Sequence, residues 1–208
     1  GMMCSEGELG MGEGAEGLMI LPADAPVGTP LADYLDRHDV ALEVDLTPNR
    51  GDCLSLLGVA REVAALADKP LAEAPGREVA PDAEGSREVV LEAGPDCPRY
   101  LGRVVSGIDA GRETPLWLAE RLRRCGVRPV SLVVDITNYV MLELGQPLHA
   151  FDNARLQGAV RVRHAEEDEP VTLLDGSQAA LERGALVVAD DAGVQAVAGV
   201  MGAAGSAL

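Results

Sequence analysis

Only five aromatic side chains occur in 208 residues: Tyr34, Tyr100, Trp117, Tyr139 and Phe151. A chain so short of rings closes its core with Leu, Val and Ala, each covering less area than a ring, so many aliphatic contacts replace a few large ones. It also has few flat faces on which nucleic-acid bases can stack. The length corresponds to one or two domains. With 47% hydrophobic and 25% charged residues, wholesale disorder is excluded. No apolar run approaches the ~18 residues that cross a bilayer. No charged region precedes an apolar stretch near the N-terminus, so a signal peptide is not expected and the cytosol is the expected compartment.

Charge sets a second limit. The formal net charge is −17, and residues 1–98 carry most of it, with 20 acidic against 6 basic side chains. Proteins that hold nucleic acid by neutralising phosphates show a basic field, which this chain lacks. Any such contact would be local, at Arg121, Arg123, Arg124 and Arg128, and a solvated helix face is the competing reading for those arginines. Cys4, Cys53, Cys97 and Cys125 have no pair at the C-x₂₋₄-C spacing of a tetrahedral metal site. No metal site is expected, and free, buried thiols are.

The pattern mixes helices and strands without a regular βαβ beat, so the expected class is α+β. Residues 1–35 read as turns and short strands, two at most, too few to close a barrel of about five. Residues 30–38 hold one or two helical turns. Ala41–Leu46 alternates with period two and reads as a strand. Thr47–Asp52 reads as a turn. Leu56, Val59, Val63 and Leu66 then recur at helical spacing, with Ser55 or Asp52 as cap and Pro70 as terminator. Residues 70–88, rich in Pro, Gly, Ala and Glu, read as a linker. Beyond them, Val89–Glu92, Arg99–Ile108, Val130–Val134, Ala159–His164, Glu169–Leu174, Leu186–Ala189 and Gln195–Gly199 read as strands. A helix opened by Thr114-Pro115 and closed at Gly126 is expected to bury Leu118, Leu122 and Cys125. A short helix over Asn138–Leu144 ends at Gly145.

The densest polar grouping is VVDITNYVMLELGQPLHAFD, residues 133–152. Read as the exit of a strand, Asp135, Thr137 and Asn138 are either pocket-lining groups or turn and cap residues. His149 precedes Phe151 and Asp152, which are placed to hold its ring, and is either a pocket residue or a satisfied, partly buried histidine. Gly199, Gly202 and Gly205 lack the following helix and acidic residue of a dinucleotide loop.

Three strings carry the reading further: EVDLTPNRGDCLSLLGVAREVAAL (43–66), GVRPVSLVVDITNYVMLELGQPLHAFD (126–152) and AGVMGAAGS (198–206). In order and spacing they closely resemble the beta subunits of bacterial phenylalanyl-tRNA synthetases. GMMCSEGELG…APVGTPL (1–31) resembles the end of the OB-type tRNA-binding insertion of those subunits. The resemblance implies an internal piece of a longer chain. It places the tail of the OB-type domain at 1–35, the second half of a small N-terminal domain at 36–75, a linker at 76–89 and a C-terminally truncated editing domain at 90–208. It implies an (αβ)₂ heterotetramer that uses ATP and Mg²⁺ to attach phenylalanine to its tRNA in the alpha subunit, with neither bound to this piece. The beta subunit would hydrolyse tyrosine wrongly esterified to that tRNA. The alternative is a non-catalytic tRNA-binding or scaffold piece that supports the alpha subunit.

By the family pattern, His149, Thr137 and Asn138 are the expected catalytic residues, and Val134, Asp135, Gly202 and Ala203 contact substrate. The four residues Thr137, Asn138, His149 and Gly202 are expected to converge on one concave pocket. The family's usual Gly-Gly after Val-Met is Gly202-Ala203 here, and the glutamate that would hold the tyrosine hydroxyl is expected beyond Leu208.

Overall fold

The computed structural model describes residues 3–12, 17–72, 76 and 78–207. Helices and a mixed sheet make up an α+β chain that separates into two compact units, Gly1–Pro75 with Gly111–Leu148, and Gly76–Ala110 with His149–Leu208.

The first unit is helical. It contains α1 (Leu31–Tyr34), α2 (Leu56–Ala67), α3 (Leu116–Arg124) and α4 (Leu132–Leu144). Ser55 starts α2 as the sequence requires: its backbone is extended and its hydroxyl accepts from Gly58 N at 3.0 Å. Asp68 ends the helix in a left-handed conformation. The expected apolar face is not buried, however. Leu56 and Val63 are exposed and Leu66 is 81% exposed. Periodicity says which residues share a face, not what covers it.

Helix α3 does bury Leu118 and Leu122, but Cys125 is exposed, and none of the four cysteines is in a disulfide. Only Cys53 is buried; Cys4 and Cys97 are half-buried. Pro115 occupies the cap position of α3, which leaves the Thr114 hydroxyl for another partner. Past the helix, Gly126 takes φ 76° while Val127 N reaches Leu122 O at 2.9 Å, the wrap that a left-handed residue permits.

The expected strand over Val130–Val134 is instead the entry to α4. Asp135, fully buried, accepts from Val130 N at 2.8 Å and from Thr114 Oγ1 at 2.5 Å. Its carboxyl anchors the backbone just before the helix, and that anchor overrides the strand preference of two consecutive valines. Two further expected strands are absent: Ala41–Leu46 and Arg99–Ile108 join no ladder. An alternating sequence makes a strand only when a neighbour takes its hydrogen bonds. No strand forms among the described residues of 1–35, where Met19 N meets Cys4 O at 3.0 Å in a loop.

The second unit is built on a five-stranded sheet, ordered β1 (Val89–Leu91), β2 (Val160–His164), β5 (Leu186–Ala189), β6 (Val194–Val197) and β7 (Met201–Gly202). The β1–β2 pair is parallel and the other pairs are antiparallel. A separate hairpin joins β3 (Glu169–Thr172) to β4 (Gln178–Leu181), the latter unmarked by sequence pattern. Strand β2 shows why the sheet forms. Val160 and Val162 point inward, while Arg161 pairs with Glu92 and Asp191 and Arg163 with Glu169 on the other face. Val162 and Val187 are about completely buried, each such side chain contributing about 1.5–3 kcal/mol. Asp190 braces the β5–β6 turn by accepting from Gln157 N, Ala192 N, Gly193 N and Gln195 Nε2 at 2.7–3.1 Å.

Candidate active site

In the second unit, three segments bring His149 and Gly202 together. The hairpin turn at Leu174-Asp175-Gly176 is fixed by Gly176 N donating to Leu173 O and by Asp175 Oδ1 accepting from Ser177 N and Oγ. That turn presents Leu174, whose N–H donates to Gly202 O at 3.0 Å. Strand β7 places Gly202 opposite Ala196. Ala203 follows, 4% exposed, with its N–H on Gln195 O at 2.8 Å and a bridge to Leu173. The third segment, residues 149–152, lies outside helices and strands and is tied down where Asp152 N donates to Ser206 O at 3.0 Å.

Gly202 must be glycine because of what lies next to it. A Cβ there would stand 2.5 Å from His149 Cε1, 2.8 Å from His149 Nε2 and 3.1 Å from Leu174 Cδ1. The imidazole rests on bare backbone. Phe151 also packs against it in a T-shaped arrangement, with ring centroids 4.6 Å apart and planes at 71°, a favoured aromatic geometry. His149 remains exposed to solvent, yet partial burial of its ring holds the imidazole below its ordinary value of 6.5. The neutral ring is therefore the dominant form at pH 7. Among the described residues its nitrogens have no hydrogen-bond partner. A neutral imidazole edge presented this way can accept a proton from water or bond a hydroxyl.

Other expected site residues lie on α4 in the first unit. Asp135 is the buried brace already described. It is therefore a structural anchor, not a residue at a strand exit. Thr137 Oγ1 donates to Val134 O at 2.7 Å, a bond within the helix. Asn138 and Val134 are half-buried on the same helix. Thr137 and Asn138 thus sit inside a helix and cap nothing. The arginines of α3 already have partners: Arg123 binds Glu120 and Glu6, Arg124 binds Asp39 and Leu35 O, and Arg121 lies 5.7 Å over Trp117 while donating to Tyr139. A cleft of about 280 Å³ in this unit is lined in part by Arg37, Asp39, Glu120, Arg123 and Arg124; Arg123 pairs with Glu120, Arg124 with Asp39, and Arg37 donates to Leu9 O. Sequence reasoning missed Leu174. It did place Phe151 beside His149 as a residue to hold the ring, and the two rings are in contact.

No group of three or more His, Cys, Asp or Glu side chains among the described residues is arranged to hold a metal ion. None of the described helices is long and apolar enough to cross a membrane.

The model of the B3/4 domain matches residues 96–208, and the chain belongs to that family. Over 202 residues it is 57% identical to the phenylalanine–tRNA ligase beta subunit of Pseudomonas fluorescens (strain Pf0-1), covering 97% of this chain and 26% of that subunit. The beta subunits of Pectobacterium atrosepticum and Colwellia psychrerythraea are 51% and 50% identical over the same share of this chain. The chain therefore spans about a quarter of the length of the curated relatives it matches.

Proposed function

We propose that this chain is part of the beta subunit of a phenylalanine–tRNA ligase and that its residues 90–208, His149 and Gly202 among them, carry hydrolysis of tyrosine misattached to phenylalanine tRNA. The observation that carries the reading is the His149 ring seated on Gly202 with its nitrogens unengaged among the described residues. Editing answers a physical need. A pocket for phenylalanine discriminates weakly against one added hydroxyl, so a second site removes the error. In the hydrolysis, water oxygen bonds to the tyrosyl carbonyl carbon, the bond to the ribose oxygen breaks, and that oxygen leaves with a proton. His149, neutral at pH 7, orients the water or takes its proton, and bare backbone at Gly202 leaves room for the imidazole.

In the same reading, the whole enzyme is a cytoplasmic (αβ)₂ heterotetramer, its alpha subunit holds the synthetic site, and phenylalanine tRNA is its substrate. ATP and Mg²⁺ serve attachment at that site, and no residue of this chain is assigned to either. Residues 1–35 are the tail of an OB-type domain, 36–75 the second half of a small domain, 76–89 a linker and 90–208 the editing domain. The open apolar face of α2 supports the half-domain.

The test uses the complete enzyme carrying His149→Ala or Gly202→Ala. His149→Ala is expected to slow tyrosyl-tRNA deacylation by roughly 10–10⁴-fold, the upper range if the ring transfers a proton. Attachment of phenylalanine and the melting temperature should stay near wild type. Gly202→Ala should do the same by displacing the ring. Parallel loss of both activities with a lowered melting temperature would mean His149 is a packing residue, and unchanged deacylation would leave the scaffold role. Thr137→Ala and Asn138→Ala assayed alongside decide whether α4 contributes.

A further inference from the structure

We propose that Phe151 is the positioning residue that fixes the His149 imidazole for the deacylation step. The inference rests on the editing reading above and adds to it a residue that does not itself touch the reacting atoms. His149 lies outside any helix or strand, so no backbone ladder sets its ring orientation. Two contacts do. Gly202 supports one side, where the missing Cβ lets Cε1 and Nε2 come close, and Phe151 packs against the ring in a T-shaped arrangement at 4.6 Å.

The two supports differ in kind. Glycine backbone gives room and no directional grip. Phe151 offers a flat ring that is itself held: it packs against Val160, Val188 and Ala196, buried residues of β2, β5 and β6. Next to it, Asp152 N is tied to Ser206 O. The chain from sheet core to Phe151 to imidazole is thus a continuous line of packed atoms, and it ends on the only polar group of the line. Leucine at position 151 would keep the apolar fill of the core but remove the aromatic ring packed against the imidazole, which limits its swing. In a site where small displacements of a catalytic group cost large factors in rate, such a support acts on turnover, not on substrate affinity.

Single-turnover deacylation of tyrosyl-tRNA by the complete enzyme tests this with three variants: Phe151→Leu, His149→Ala and the double substitution. Phe151→Leu is expected to lower the maximal rate roughly tenfold, with the half-saturating enzyme concentration changed less than about twofold. The double variant should be no slower than His149→Ala alone, because a positioning residue has nothing left to position. Phenylalanine attachment and melting temperature report on folding. Additive losses in the double variant, a wild-type rate for Phe151→Leu, or loss of both activities with lowered melting temperature would each overturn the positioning role while His149→Ala still impairs deacylation. A wild-type rate for His149→Ala would instead overturn the editing reading, and the positioning role with it.

Discussion

The two units treat their apolar residues in opposite ways. In the sheet unit the inner strands cover one another: Val162 is 1% exposed and Val187 and Ala189 are 0% exposed, while exposed apolar residues such as Leu101, Val105 and Val200 lie in connecting segments and Leu91 and Met201 lie on the edge strands β1 and β7. In the helical unit, Leu56, Val63 and Leu66 stand open on a single helix, and Val40, Leu42 and Val44 stand open on a segment that alternates like a strand but has no ladder partner. Scattered exposed apolar residues are ordinary; an ordered row on one helix face is a surface shaped for contact. The sheet unit closes its core with its own strands. The helical unit buries Met11, Leu118 and Leu122 and adds polar braces, with Asp135 tied to Thr114 and Val130, and Arg50 clamped by Asp52 and Glu62 while also reaching Cys53.

The largest expected effect compares one buried aspartate in each unit. Asp190 receives four donors and Asp135 two. Burial works to raise the Asp190 carboxyl, but the hydrogen bonds of Gln157, Ala192, Gln195 and Gly193 outweigh it and hold the pKa below its ordinary value. Asp190→Ala strands four donors and should cost about 3 kcal/mol or more; Asp135→Ala should cost about 2–3 kcal/mol. Urea unfolding with an unchanged slope measures both. Equal and small losses would break the picture of units anchored by buried carboxylates.

How legible this was in the sequence follows the same division. Most of the sheet was legible, because alternation such as Val160-Arg161-Val162-Arg163 encodes an inside and an outside, and Leu186–Ala189 matched its strand end to end, although the expected strand Arg99–Ile108 found no partner and β4 carried no pattern. The helical unit misled at two places for identifiable reasons. Val133 and Val134 favour a strand locally, and the Asp135 side chain, acting over five residues on Val130, turned them into a helix entry. Ala41–Leu46 has a strand pattern, but pairing is a property of two segments and one segment cannot state it. At the candidate site, family resemblance singled out His149 and Gly202, and the missing Cβ of Gly202 shows why they lie together. The resemblance alone could not show that Thr137 bonds within its own helix, or that Leu174 arrives from a hairpin turn.

A smaller effect concerns pH. The folded-state pKa of His149 lies below 6.5 because of partial burial, so in the window between that lowered value and 6.5 the unfolded chain binds more protons than the folded one. Stability therefore rises with pH through that window, and the contribution of neutral His149 is lost as pH falls below 6.5. His149→Gln removes the titration. The stability difference between wild type and variant, measured by urea unfolding from pH 5 to pH 8, should shift in the variant's favour toward acid and be flat above neutrality. A difference independent of pH would mean the ring is as hydrated in the folded chain as in the unfolded one.

The smallest expected effect is the sharpest for the comparison between units. Leu66 is 81% exposed on α2, so Leu66→Ser in this chain of 208 residues should change its stability by less than about 0.5 kcal/mol. The proposal that residues 36–75 are half of a small domain makes another forecast for a longer subunit containing them. There the row Leu56, Val63 and Leu66 is covered, and exchanging a buried leucine for serine at position 66 should weaken the helix locally by about 2 kcal/mol or more. Amide hydrogen exchange along α2 reads that local stability directly in both proteins. Fast exchange in the short chain, slow exchange in the long one and sensitivity to Leu66→Ser only in the long one fit a face made for another part of the same polypeptide. Equal exchange in both, with Leu66→Ser silent in both, would mean that the open face of α2 is a permanent feature of the helical unit and that the unit is complete without a cover.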